Sequence, residues 1–260
     1  LKEKFGERTL KICVDGGFTC PNRDGKIGYG GCIYCSEQGS GELITCKESI
    51  KEQVKHYFTT YRAKRANKFI VYFQNFTNTY DTVENLKQKY DSALIDDRIV
   101  GLEVGTRPDC INEEIAKLLA SYKEKYYVCV ELGLQTSNDE IGKIINRGYT
   151  SKQFTEAVEI LNKYDIDVVA HIMVGLPNET QKNIEDTVDF INKHKLQGVK
   201  IHSTYVVENT VLADMYRKGE YKALDLDDYI ETLIDIMVHL NPNLIIHRIS
   251  GDAPKDILVA

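Results

Sequence analysis

The chain reads as an α/β protein whose parallel strands close into a full or partial (β/α) barrel. Three observations lead there. Short β-rich runs alternate with stretches of helical period from end to end. Strands separated by helices imply crossover connections and hence a parallel sheet. A length of 260 residues is ordinary for one such barrel. In that architecture the functional groups gather at the carboxyl ends of the strands.

The expected strands are Leu10–Val14, Phe69–Gln74, Val100–Gly105, Tyr127–Leu132, Val168–Val174, Val199–Thr204 and Leu244–Ile249. Between them Ser49–Lys64, Thr82–Leu94, Asn112–Lys123, Ser151–Tyr164, Glu179–His194 and Leu226–Leu240 read as helices. The fifth of these shows the pattern well: Asn178 is placed to cap it, and Ile184, Val188 and Ile191 share one apolar face. Pro108 and Pro177 directly follow strands, Pro254 lies just beyond the last one, and Pro242 ends a helix. No repeat or linker interrupts the series, so one domain is expected over residues 1–260, with a core of 10–205 and a C-terminal helix/strand extension of 206–260.

Composition excludes several classes. At 42% hydrophobic and 28% charged residues the chain is neither disordered nor fibrous. No apolar run approaches the ~20 residues of a membrane helix, and LKEKFGERTL carries no signal-peptide core. Net charge is 33 − 39 = −6, which argues against a broad basic surface for nucleic acid. The local run Arg62, Lys64, Arg65 and Lys68 is a solvated face or an RNA-backbone contact. Seven cysteines, an odd count without a secretory signal, point to reduced thiols and a cytoplasmic protein rather than a disulfide framework.

Four of the seven cysteines lie between Cys20 and Cys46, which suggests a metal. Cys20, Cys32 and Cys35 arrive from one glycine-rich loop after the first strand, a donor set suited to an iron–sulfur cluster. Three ligands would leave one iron of a four-iron cluster open. A structural zinc with Cys46 or Cys13 as fourth ligand is the alternative, and spacing alone does not choose between them.

The loop, with CIYC at its end and a βα series behind it, resembles the radical S-adenosylmethionine (radical SAM) superfamily. The usual C-x3-C-x2-C is expanded here to C-x11-C-x2-C. GFTCPNRDG followed by GGCIYCSEQGSGE resembles the YhcC/YtqA (MnmL-type) branch, related to the catalytic subunit of elongator, and the likeness runs to HRISGDAPKDILVA at the end. The resemblance implies a partial (β/α)6-type TIM barrel of radical SAM type, with a [4Fe–4S] cluster on Cys20, Cys32 and Cys35. It also implies S-adenosylmethionine (SAM), cleaved reductively to a 5′-deoxyadenosyl radical, and an electron donor such as flavodoxin or ferredoxin. The kinship implies tRNA as substrate, with carboxymethylaminomethyl-uridine at the wobble position converted to aminomethyl-uridine. A radical SAM enzyme acting on a small metabolite or peptide, and a zinc-stabilised RNA-binding module, are the competing readings.

The resemblance also distributes roles. Tyr34 is expected against the adenine of SAM, or simply packed. Gln74, Asn75 and Thr77, at the end of the second strand, are positioned for the methionine part of SAM, although the usual Gly-Gly-Glu-like sequence is missing; the plain alternative is an Asn/Thr-rich turn. Arg107 of TRPD is a bidentate donor at the barrel mouth, while Asp109 or Asn112 serves to cap the next helix. Cys110 is a weaker candidate for a substrate-facing thiol. Glu131 lies inside an apolar strand and must have partners; with Gln135 it is expected to line the SAM ribose and methionine region. His171 and Gly175 belong to the adenine-side strand, Gly175 allowing close approach of a flat ring. Asp252, in the polar HRISGDAPKD segment, completes the expected catalytic group with Arg107 and Cys110.

Overall fold

The computed structural model describes residues 1–37, 39, 48–251, 253 and 255–260. One sheet of seven strands, β1 (Thr9–Val14), β2 (Lys68–Phe73), β3 (Ile99–Thr106), β4 (Tyr127–Gln135), β5 (Asp167–Val174), β6 (Gly198–Ser203) and β7 (Ile245–Arg248), runs in sequence order. Every neighbouring pair is parallel. β1 and β7 are the two edges, so the result is a partial barrel in which β7 supplies the expected extension.

Helices fill the crossovers. α1 (Lys2–Phe5) precedes the sheet, then come α2 (Ile50–Thr59), α3 (Val83–Ala93) and α4 (Glu113–Ser121). α5 (Asp139–Ile144) and α6 (Ser151–Lys163) share the β4–β5 connection, α7 (Gln181–Asn192) follows β5, and α8 (Val211–Arg217) and α9 (Leu226–His239) join β6 to β7. The helices from α2 onward each begin at a side-chain cap, with reciprocal capping boxes at Ser49/Glu52, Thr150/Gln153 and Thr180/Asn183. These caps follow the carboxyl ends of strands, so the helix amino termini rise around the mouth.

The structure shifts some details. α2 stops at Thr59 because Thr60 turns extended, and Ala63–Arg65 form a separate 3-10 turn. Thr180, not Asn178, caps α7; Asn178 stands before it with a φ of 61°. Asn112, not Asp109, caps α4. The short helix α5 is an addition to the expected series.

Strand alternation sorts the side chains onto two faces. Ile12, Val71, Leu102, Val130, Ala170 and Ile201 point outward into the main apolar core beneath the helices. Burying each of the larger ones contributes about 2 kcal/mol. Lys11, Tyr72, Glu103, Glu131, His171 and Lys200 occupy the alternate positions and face the lumen. A barrel interior is ordinarily packed with branched aliphatics. This one is polar and charged, which makes it a place for ligands.

Candidate active site

The loop after β1 is folded by its own backbone. The amides of Arg23 and Asp24 donate to the Cys20 carbonyl at 2.8 and 3.2 Å, and the Cys35 amide donates to the Cys32 carbonyl at 3.0 Å. Gly31 has a φ of 78°, and a Cβ there would meet the Arg23 side chain at 2.8 Å. Arg23 uses that space to donate to the carbonyls of Cys35 (3.0 Å) and Ser36 (2.5 Å). Asn22 and Asn146 exchange side-chain bonds with each other's loops, tying the cysteine loop to the end of α5.

All three cysteines line one cleft at the carboxyl end of the sheet, with about 1160 Å³ of empty space including its open mouth. Burial pushes the Cys35 thiol up to about 11, opposed by Arg23, and raises Cys32, opposed by Arg107. Among the described residues no three His, Cys, Asp or Glu side chains are spaced to hold one metal ion. The three thiols share one cleft within electrostatic reach of one another, and three thiolates are the donor type that holds an iron–sulfur cluster. Cys46 lies outside the described residues, and Cys13 sits on β1 away from the loop.

Facing the cysteines are Tyr34, Gln74, Thr77, Arg107, Glu131, Gln135 and His171. Glu131 has four donors: Lys11 at 3.0 Å, the Tyr72 hydroxyl at 2.5 Å, His171 Nε2 at 2.8 Å and Lys200 at 2.7 Å. Burial alone would raise its carboxyl; Lys200, His171 and Lys11 overcome that and hold it well below the usual carboxylate range. The same burial keeps His171 on the neutral side. Glu131 is therefore both an internal ion-pair centre and a wall of the cleft.

Two cleft residues adopt left-handed backbone: Phe76 (φ 59°) just after β2, and Gln135 (φ 66°) where β4 bulges against β5. Arg147, fully buried, clamps that bulge through the carbonyls of Leu134 and Thr136 and pairs with Asp139 at 2.8 Å. Arg107 and Arg147 each lie 4.7 Å from the Tyr149 ring, whose hydroxyl bonds the Gly133 carbonyl. Arg107 is at the mouth as expected, but its fork is already engaged by Asp109 at 3.0 and 2.9 Å. Its role toward a ligand is that of a fixed cation rather than an open bidentate donor.

Other expected residues do not join the cleft. Asn75 is buried and donates to Asp15, and Asn78 and Thr79 staple the strand ends, so the Asn/Thr turn offers the cleft Gln74, Phe76 and Thr77 only. Cys110 is half-buried outside the lining, with its thiol pushed up to about 12 by burial and Asp109. Gly175 keeps its φ of 85° but lies outside the lining; its N–H donates to Glu179, and its carbonyl accepts from Tyr221 with one lone pair left. Asp252 lies outside the described residues. Sequence reasoning missed Arg23, Thr106, Tyr149 and His202 of the lining. Strand alternation from His171 would have found Met173, and from Lys200, His202; Tyr149 carries no local signal.

Known proteins bear on this geometry. Residues 20–191 match the Radical SAM superfamily and residues 196–260 the Radical SAM C-terminal domain. The chain belongs to the radical SAM superfamily. It is 38% identical to the uncharacterized protein YtqA of Bacillus subtilis over 100% of its length and 81% of that protein's. It is 35% identical to protein YhcC of Escherichia coli over 100% of its length and 84% of that protein's. The archaeal Elp3 of Methanocaldococcus infernus shares the fold at 19% identity with a TM-score of 0.69, over 96% of this chain and 58% of that one. Radical SAM proteins use a [4Fe–4S] cluster and SAM, and the thiol donor set fits the cluster. The zinc-module reading gives way to it. No helix among the described residues is long and apolar enough to cross a membrane.

Proposed function

We propose that the protein cleaves SAM reductively and turns the resulting radical on a wobble uridine of tRNA. The observation that carries the first part is that Cys20, Cys32 and Cys35 share one cleft with Gln74, Glu131, Gln135 and His171. Cys20, Cys32 and Cys35 would hold the cluster, with one iron open to the amino and carboxylate groups of SAM. Bound there, the cluster would supply the electron for reductive cleavage of SAM. Gln74 and Thr77 would orient the methionine end, Gln135 and Glu131 the ribose side, and Tyr34 the adenine. The walls hold the reacting carbon close and exclude water.

The tRNA part is supported by the similarity to Elp3. Its specific form is conversion of carboxymethylaminomethyl-uridine to aminomethyl-uridine in the cytoplasm, with flavodoxin or ferredoxin as reductant. Anaerobic purification with iron analysis, followed by SAM and dithionite, tests the chemistry: 5′-deoxyadenosine release supports it, and a colourless zinc protein that cleaves no SAM overturns it. Nucleoside analysis of tRNA from a deletion strain tests the substrate; an unchanged profile removes the tRNA reading.

A further inference from the structure

Arg23 lies in the long gap between Cys20 and Cys32 and spans the loop from the first thiol to the third. Its amide donates to the Cys20 carbonyl at 2.8 Å, closing a tight turn on that residue. Its side chain then crosses Gly31 and reaches the backbone at and beyond Cys35. There Nη2 donates to the carbonyls of Cys35 at 3.0 Å and Ser36 at 2.5 Å, and Nη1 to that of Glu37 at 3.5 Å. A Cβ on Gly31 would stand 2.8 Å from the Arg23 Nε, so any larger residue would block the crossing. The Phe76 ring, 5.5 Å from the guanidinium carbon, restrains the group further.

These partners hold the guanidinium without neutralising it. They are carbonyl oxygens and a ring face, and Arg23 forms no ion pair among the described residues. Arg107, the other cation felt by the thiols, differs: Asp109 meets its fork at 3.0 and 2.9 Å. Arg23 therefore brings an unanswered positive charge to the cleft wall beside the cysteines. Its field falls on Cys32 and Cys35, and Cys35 takes a side-chain hydrogen bond from it as well. Nearby charge and hydrogen bonds to sulfur are levers by which a protein moves an iron–sulfur potential. An electron added to a cluster makes that site one unit more negative, and a fixed cation beside it favours the added charge.

We propose that Arg23 is a positioning residue with an electronic effect: its guanidinium raises the reduction potential of the cluster that Cys20, Cys32 and Cys35 would hold. The backbone bond at Cys20 and the side-chain bonds at Cys35 and Ser36 fix where the charge sits. This role rests on the cluster assignment made above and is independent of the tRNA substrate.

The test is an anaerobic redox titration of the cluster-loaded full chain without SAM or tRNA. Dithionite supplies the electrons, viologen dyes mediate, and the paramagnetic signal of the reduced cluster is followed. Arg23→Gln removes the charge and keeps an amide donor for one carbonyl. Its equilibrium should shift about tenfold toward the oxidised form, a one-electron midpoint about 59 mV below the parent's. Arg23→Lys keeps the charge without the planar fork and should stay near the parent. Equal potentials in the parent and Arg23→Gln overturn the proposal. So does an equal drop in Arg23→Lys, or loss of the cluster from both variants, each the mark of a structural staple alone. Should only Arg23→Lys load, a parental potential upholds the role and a lowered one overturns it. A parent chain that holds no iron fails the cluster assignment itself, whereas full loading with unmoved potentials fails only the role given to Arg23.

Discussion

The guanidinium of Arg147 holds Gln135 in the left-handed backbone conformation. One nitrogen, Nη1, donates to the carbonyls of the residues on either side of Gln135, Leu134 at 2.7 Å and Thr136 at 2.6 Å, while Gln135 has a φ of 66°. A non-glycine residue there costs about 1–3 kcal/mol. Hydrogen bonds from a charged donor, each worth about 1.5–3 kcal/mol, offset it. The strain is useful because it turns the Gln135 side chain into the cleft instead of continuing the strand. Gln135→Gly should therefore leave stability within about 1 kcal/mol of the parent, since glycine takes this backbone freely. It should weaken SAM binding. Urea unfolding and a calorimetric SAM titration separate the two effects, and parental SAM affinity would remove Gln135 from the site.

Loss of one loop thiol should empty the cluster site. Cys20→Ala is expected to abolish bound iron and sulfide together with the brown absorbance, whereas Cys13→Ala should keep all three. Iron and sulfide assays on the anaerobically reconstituted variants check this. Full loading of Cys20→Ala would break the ligand assignment.

Glu131 serves Lys11, Lys200, Tyr72 and His171 at once. Glu131→Gln keeps the shape and removes the charge, leaving two lumen lysines without their shared counter-ion. The expected loss is about 3 kcal/mol, read as a lower urea midpoint by circular dichroism. A loss under about 0.5 kcal/mol would mean that solvent in the lumen screens these charges as it does at a surface.

Glu179 gives a pH signature. Burial raises its carboxyl to about 7, against the lowering pull of the Leu176 and Gly175 amides. The folded chain then holds the proton more tightly than the unfolded one. Its contribution is complete below about pH 4.5 and is lost as pH rises through 7, a change of about 3 kcal/mol. Glu179→Gln cannot ionise, so its stability relative to the parent should climb between pH 5 and 7.5. Denaturation curves across that range check the slope; a flat difference would show a carboxyl that titrates as in solvent.

Much of this was legible in the residues alone. Strand order, the parallel sheet and the cysteine loop follow from period, length and spacing, because alternation and glycine-rich turns are local properties of the chain. Glu131 was visible as a carboxylate that needed partners. Who those partners are was not: Lys11, Tyr72, His171 and Lys200 come from four other strands, and only the closing of the sheet brings them to one atom pair. The same holds for Arg107, whose fork is answered by Asp109, and for the Gly175 amide, which donates to Glu179. By itself the sequence determined which residue types line each strand and where the thiols leave the first one. Only the tertiary structure decided which donors and acceptors were already spent on each other, because hydrogen-bond satisfaction depends on distances between strands far apart in the chain.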